Sequence, residues 1–147
     1  MRYFEDFLVG QATELGSVIV TEEEILSFAG QFDPQYFHVD RARASDSIFG
    51  GLVASGWHTA SLFMRVFVDG LLGETASLGS PGIDELRWLR PVRPGDRLRG
   101  RVTVMECVPS RRRPERGVVR MRGELLNQQD EPVLRLDALS MIGRRPT

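Results

Sequence analysis

The hydrophobic period changes once along this chain, and that change limits the folds open to it. From Trp57 to Leu72 the apolar residues Trp57, Ala60, Phe63, Met64, Phe67, Val68 and Leu71 recur at spacings of three and four, as on a helix with a wide buried face. Beyond residue 84 the spacing falls to two. In Leu98–Val108, Leu98, Gly100, Val102 and Val104 alternate with Arg99, Arg101 and Thr103, as in a half-exposed strand. Val118–Leu126 and Val133–Ile142 alternate likewise across the turn-rich Asn127–Pro132, and Asp84–Arg90 runs strand-like into the turn Arg93-Pro-Gly-Asp96. Four strands that follow one long helix, with no helices between them, predict an α+β domain built on an antiparallel sheet. A helix of about sixteen residues spans ~24 Å, enough to cross a curved sheet of five or six strands that wraps it. With 147 residues and no compositional break, a single domain over 1–147 is expected.

The first half of the chain supplies the rest of the frame. Residues 12–20 end in a β-branched run and read as a short strand. Thr21-Glu-Glu-Glu24 is a capping box, and the helix it starts, with Ile25, Phe28 and Ala29 on its apolar face, is expected to end between Gly30 and Pro34. Asp33 to His38 then falls in an irregular segment just past a helix end. Next comes the glycine-containing run Phe49-Gly-Gly-Leu-Val-Ala-Ser-Gly-Trp57. Ser55 is the expected N-cap of the apolar helix, Gly56 its first turn, and Gly70 with Gly73 its end.

Several function classes are disfavoured. The 19 basic and 20 acidic residues leave a net charge of −1, so no overall field gathers nucleic acid or anionic lipid. All the basic residues are arginine, a compositional bias, and the cluster Arg111, Arg112, Arg113 and Arg116 reads as a solvated loop unless it meets phosphates. The single Cys107 lies in a strand-like alternation as a small hydrophobe. His58, beside Trp57, has no carboxylate or second ligand placed with it, so no metal site is expected. Gly50-Gly51 lacks the Lys-Ser/Thr ending of a phosphate loop. The N-terminus is too acidic for a signal peptide and no stretch reaches the ~18 apolar residues of a membrane span, so the expectation is a cytoplasmic protein without a membrane or nucleic-acid partner.

What remains is an acid, a histidine and a glycine at a helix start. Asp33 and His38 lie five positions apart and can share a water, while the unpaired N–H of Gly56, at the positive end of the helix, can hold a developing oxyanion. These are parts suited to adding or removing water beside a carbonyl. Phe32, Tyr36, Phe37, Phe49 and Trp57 flank the pair, and with Gly51 and Ser55 are candidates for substrate contact.

Together the capped helix, the Asp33-to-His38 spacing, the Gly50–Leu62 run and Leu89-Arg-Pro-Val-Arg-Pro-Gly-Asp96 resemble the MaoC-like family of hotdog-fold proteins, which includes (R)-specific enoyl-CoA hydratases and dehydratases. The family signature is usually Asp-x-Asn-Pro-apolar-His. This chain keeps the acid and the histidine but reads Pro34-Gln35-Tyr36 between them, similar to a subgroup written Asp-Pro-Gln-x-Phe-His. A serine that some hydratases of the family carry on the central helix falls at Met64, so no role is transferred there. The resemblance implies a hotdog fold, interconversion of a trans-2-enoyl-CoA and a (3R)-3-hydroxyacyl-CoA by Asp33 and His38 with Gly56 as oxyanion donor, no cofactor beyond the CoA of the substrate, and a homodimer or dimer of dimers. Arg111 to Arg116 is then a candidate for the CoA phosphates. A hotdog thioesterase and a non-catalytic acyl-CoA-binding subunit of a heteromeric dehydratase are the alternatives.

Overall fold

The computed structural model describes residues 1–147. In chain order the elements are β1 (Ala12–Ile19), α1 (Glu22–Phe32), α2 (Tyr36–Val39), α3 (Arg41–Ser45), α4 (Gly56–Gly70), β2 (Gly82–Trp88), β3 (Arg97–Pro109), β4 (Arg116–Leu126) and β5 (Pro132–Gly143), with single 3-10 turns at Phe4–Asp6 and Leu72–Glu74. The five strands form one antiparallel sheet in the order β1-β3-β4-β5-β2, and α4 packs on its inner face as a hotdog fold. The capping box forms as expected, with the Glu24 N–H donating to Thr21 Oγ1 at 3.2 Å and the Thr21 N–H donating to Glu24 Oε2 at 3.5 Å. α1 continues past Gly30 to Phe32. It stops where the residue before Pro34 is forced out of helical geometry.

The helix seats deeply because the strands beneath it carry glycine at two facing positions. On β3 the inward set Leu98, Gly100, Val102 and Val104 is buried, and Val102 pairs with Gly123 of β4. A Cβ on Gly123 would lie 2.7 Å from Phe63 Cε2, and one on Gly100 would lie 2.7 Å from Val66 Cγ2. Both helix residues therefore rest directly on strand backbone. Phe63, Val66 and Phe67 are buried there and join Leu98, Val102, Met121, Leu125 and Leu134 in one core, each fully buried large side chain contributing about 1.5–3 kcal/mol.

The apolar face of α4 is divided where the periodicity suggested one buried stripe. Phe63 and Phe67 are buried as expected, with Thr59 and Val66 beside them, but Trp57, Met64 and Val68 are 59, 48 and 39 % exposed. One sheet covers only one side of the helix, which leaves these three on the other. β2 is exposed at every position except the half-buried Leu86, and it forms one edge of the sheet.

A bulge in β2 bears directly on the start of α4. Asp84 pairs with Asp137 and faces the outer side, where its carboxylate accepts from Arg120 Nη2 at 2.7 Å, whereas Trp88 pairs with Leu134 and lies on the inner side of the sheet, half exposed. Residues four apart on a regular strand share a face. Here the register shifts between Asp84 and Arg87, with Glu85 at φ 50°, and the extra residue turns the end of β2 inward onto α4.

α1 meets α4 through His58. Its ring stacks on Phe28 with centroids 4.9 Å apart and planes at 12°, and its Nδ1 is buried without a hydrogen-bond partner. Burial pushes the imidazole pKa below its ordinary value, against a weaker upward pull from Glu24.

Replacing Gly123 with alanine is expected to lower unfolding free energy by about 1–3 kcal/mol through overpacking against Phe63, read as a lower urea midpoint with an unchanged slope. Because the folded pKa of His58 is depressed, the stability linked to it is complete above the ordinary histidine pKa and declines as pH falls through the folded value. Melting temperature should therefore fall from pH 7.5 to pH 5 more steeply in wild type than in His58→Phe, measured by thermal denaturation across that range.

Candidate active site

Pro34 interrupts the chain between two helical pieces, and the break brings acid and histidine together. Asp33 is the C-cap of α1, its N–H donating to the Ala29 carbonyl at 2.9 Å. Tyr36–Val39 then forms one helical turn rather than the irregular segment expected, because the Gln35 N–H turns back to the Asp33 carbonyl and the His38 N–H to that of Gln35, at 2.8 and 2.9 Å. That turn directs His38 inward, where it is buried. Its Nε2 lies 3.3 Å from Asp33 Oδ2.

The histidine has a defined tautomer. Its Nδ1 is 2.7 Å from the Val53 carbonyl, which can only accept, so the neutral ring carries its proton on Nδ1. Nε2 is left with a lone pair toward Asp33 and the cavity. Phe37 packs edge-on against the imidazole at 4.5 Å and Phe49 against Phe37 at 5.3 Å. These contacts fix the ring.

Asp33 is held at both oxygens. Gln35 Nε2 donates to Oδ1 at 2.8 Å and Ser55 Oγ donates to Oδ2 at 2.7 Å. Burial by itself raises the carboxyl pKa, but the Gln35 and Ser55 hydrogen bonds, joined by the charge and Nε2–H of His38 whenever that ring is protonated, outweigh it, and the group sits below the usual aspartate value. The acid is thus held ionised, beside a histidine nitrogen free to accept. One water or one proton can be shared between them.

Ser55 also accepts from the Trp57 N–H at 3.3 Å, so it caps α4 as expected while binding Asp33. Gly56 lines the cavity with its N–H taken by no protein acceptor. The space that glycine leaves on its side-chain face is filled by Trp88, whose ring atoms Cδ2 and Nε1 would lie 2.7 Å from a Cβ at this position. Trp88 Nε1 donates to the Gly56 carbonyl at 2.8 Å. Glycine is required here for the indole as well as for any approach to the N–H.

Around these groups is a cavity of about 440 Å³ that holds Asp33, His38, Gly56, Phe37, Phe49 and Trp57. Four expected contact residues do not line it, among them Ser55, which is fully buried and bonded to Asp33. Phe32 is 69 % exposed and packs on Phe28 toward His58, because the last turn of α1 points it to the other side of the helix. Tyr36 stacks under the Arg43 guanidinium at 4.6 Å, and Gly51 lies behind the wall near Arg93 Nη1. The arginine cluster sits at the β3–β4 hairpin, where Arg116 pairs with Gly143, about 30 Å along β4 from Leu126 at ~3.3 Å per residue. It takes no part in the cavity of its own chain. Residues that the sequence did not mark as site residues are Gln35, Thr59, Trp88 and the Leu89–Val92 segment, although Leu89–Asp96 carried part of the resemblance. For Gln35 the signal was present, inside the acid-to-histidine segment.

A second cavity of about 390 Å³, mostly apolar, runs between the exposed side of α4 and strands β2 and β5. Phe63, Met64, Phe67, Ile83 and Leu136 line it, and Trp57 belongs to both cavities.

Proteins of known structure share this fold, and a curated relative shares much of the sequence. A crystal structure of the MaoC-like dehydratase from Rhodospirillum rubrum superposes over 100 % of both chains with a TM-score of 0.93 and 42 % identity. The R-hydratase PhaJ1 from Pseudomonas aeruginosa aligns with 97 % of this chain and 86 % of its own at a TM-score of 0.75 and 27 % identity. The (R)-specific enoyl-CoA hydratase of Rhodospirillum rubrum is 32 % identical over 117 residues, 76 % of each chain. The MaoC like domain model matches residues 7–124, and the chain belongs to the MaoC-like hydratase and dehydratase family.

Proposed function

We propose that this protein is a hydro-lyase that adds water to a trans-2-enoyl-CoA to form a (3R)-3-hydroxyacyl-CoA, or removes it in reverse. The observation that carries this is the juxtaposition of Asp33 Oδ2, His38 Nε2 and the free Gly56 N–H on one cavity. Hydration needs a base for water, a proton for C2 and a donor for the enolate oxygen. The carboxylate and the Nε2 lone pair hold the water between them; one takes a proton from it as its oxygen attacks C3, that proton passes across the 3.3 Å between the two groups, and the other delivers it to C2, while the second hydrogen of the water stays on the new hydroxyl. The Gly56 N–H, at the positive end of α4, holds the thioester oxygen. The apolar second cavity takes the acyl tail beyond Trp57, and CoA is substrate rather than cofactor.

Two copies complete the molecule in this proposal. What supports it is the bare stripe Trp57, Met64 and Val68 beside the exposed edge strand β2, which together form an apolar face with unpaired backbone groups. β2 is also complementary to itself, since antiparallel pairing that sets Asp84 opposite the partner's Arg87 matches opposite charges in both directions.

With a 2-enoyl-CoA as substrate, Asp33→Asn and His38→Gln should each lower kcat at least about 100-fold, followed by loss of enoyl absorbance, with CoA release monitored by a thiol reagent. Full activity in both variants, or free CoA without hydroxyacyl product, would remove the assignment. Light scattering on the purified chain should give twice the mass of 16.5 kDa, and Ile83→Glu on β2 should halve it. A monomeric wild type would count against the pairing.

A further inference from the structure

A line of hydrogen bonds runs from the sheet edge to the acid. Trp88 Nε1–H donates to the Gly56 carbonyl at 2.8 Å, and the N–H of the same Gly56–Trp57 peptide donates to Ser55 Oγ at 3.3 Å. Ser55 Oγ–H then donates to Asp33 Oδ2 at 2.7 Å, which lies 3.3 Å from His38 Nε2. Every donor points the same way, from indole to carboxylate. In such a series each bond polarises the next, because a carbonyl that accepts makes its own peptide N–H a better donor, and a hydroxyl that accepts makes its proton a better one.

The structure assigns Trp88 as a positioning residue for the acid, the outer donor of a four-group relay that acts on Asp33 through the Gly56–Trp57 peptide and Ser55. Two further features fit this role. The β2 bulge, with Glu85 at φ 50°, turns Trp88 inward, so the strand departs from regular geometry where the indole reaches the helix. Gly56, whose backbone is the least restricted of any residue, also needs an external hold if its peptide is to keep one orientation. The indole supplies it, packed across the glycine with Trp57 edge-on at 5.3 Å and 82°. The remaining groups that face Asp33 are Gln35 and His38. Arg90, the other charged residue lining the cavity, pairs with Glu131 at 3.3 Å.

The assignment rests on Asp33 serving in proton transfer, and its test reads the carboxylate directly so that the two can fail separately. The Asp33 carboxyl carbon is followed by 13C NMR from pH 2 to 7 in wild type, Trp88→Phe, Ser55→Ala and the double variant. Phenylalanine keeps a ring near Gly56 and removes the donor together with one ring of the indole, so the comparison with Ser55 absent separates the lost donor from the lost packing. Ser55→Ala should raise the midpoint by about one pH unit, the equivalent of one hydrogen bond to a charged group. Trp88→Phe should raise it by about 0.2 of a unit, as expected for coupling of about 10–30 % per bond. With Ser55 absent, Trp88→Phe should add nothing, because the line is cut. In turnover, Trp88→Phe should lower kcat about fivefold, the rate equivalent of one neutral hydrogen bond, with KM changed less than twofold. A midpoint unmoved in Trp88→Phe, or moved equally with and without Ser55, overturns the relay. A coupled titration in a wild type that hydrates no enoyl thioester would leave the relay standing and remove the proposed activity.

Discussion

Because Ser55 is fully buried, its hydroxyl must find both an acceptor for its proton and a donor for its oxygen inside the protein, and the two it finds, Asp33 and the Trp57 N–H, tie the end of α1 to the start of α4. The position of α4 is itself set by glycine, since Gly100 and Gly123 let Val66 and Phe63 rest on the sheet backbone. Depth of seating therefore decides where Ser55 sits. Where Ser55 sits decides where the carboxylate can be held. A methyl group on either glycine would act first on stability and then, through the same helix, on the geometry of the Asp33–His38 pair at the helix start. Packing and chemistry share one element here.

Much of the fold was legible because its signals are local. The Thr21–Glu24 box, the stop at Pro34, the Ser55 cap and the alternation in β3, β4 and β5 depend on neighbours within a few positions, and the elements they mark formed within about two residues of their expected bounds, whereas the short α2 and α3 had no such signal. The division of the α4 face was not legible. Periodicity reports that Trp57, Met64 and Val68 are apolar and helically spaced, but which side a single sheet covers is a tertiary fact. The bulge in β2 was hidden for a related reason. An extra residue shifts the phase of alternation, so Trp88 reads as lying on the Asp84 face although it pairs with Leu134.

Within the site, the acid, the histidine and the helix start were marked by spacing and residue type, and the structure brings Asp33, His38, Ser55 and Gly56 together. Their local roles were less visible. Ser55 was expected as a cap and as a contact for substrate, whereas its proton goes to Asp33. Gly56 was expected to be glycine for the approach of a ligand, whereas the indole of Trp88 occupies its side-chain face. Both depend on partners 22 and 32 positions away, and no local pattern encodes them. Phe32 and Tyr36 were placed by proximity in sequence. A helix end turns successive residues by about 100°, so sequence neighbours of a cavity-lining position need not face the same space.

Trp57 links the site to the bare side of the molecule. Its N–H is a member of the line from Trp88 to Asp33, while its ring walls both cavities and stands in the exposed stripe with Met64 and Val68. Anything that covers that stripe must therefore touch a residue whose backbone belongs to the hold on the acid. β2 carries the same double role, since Trp88 at its end donates to Gly56 while its outer edge presents unpaired backbone groups. A second copy seated on this face would remove water from the outer wall of the cavity and strengthen the hydrogen bonds behind it, because their strength rises as the local dielectric falls. Assembly and proton transfer would then be coupled through two tryptophans, with no residue of the pair itself in the contact.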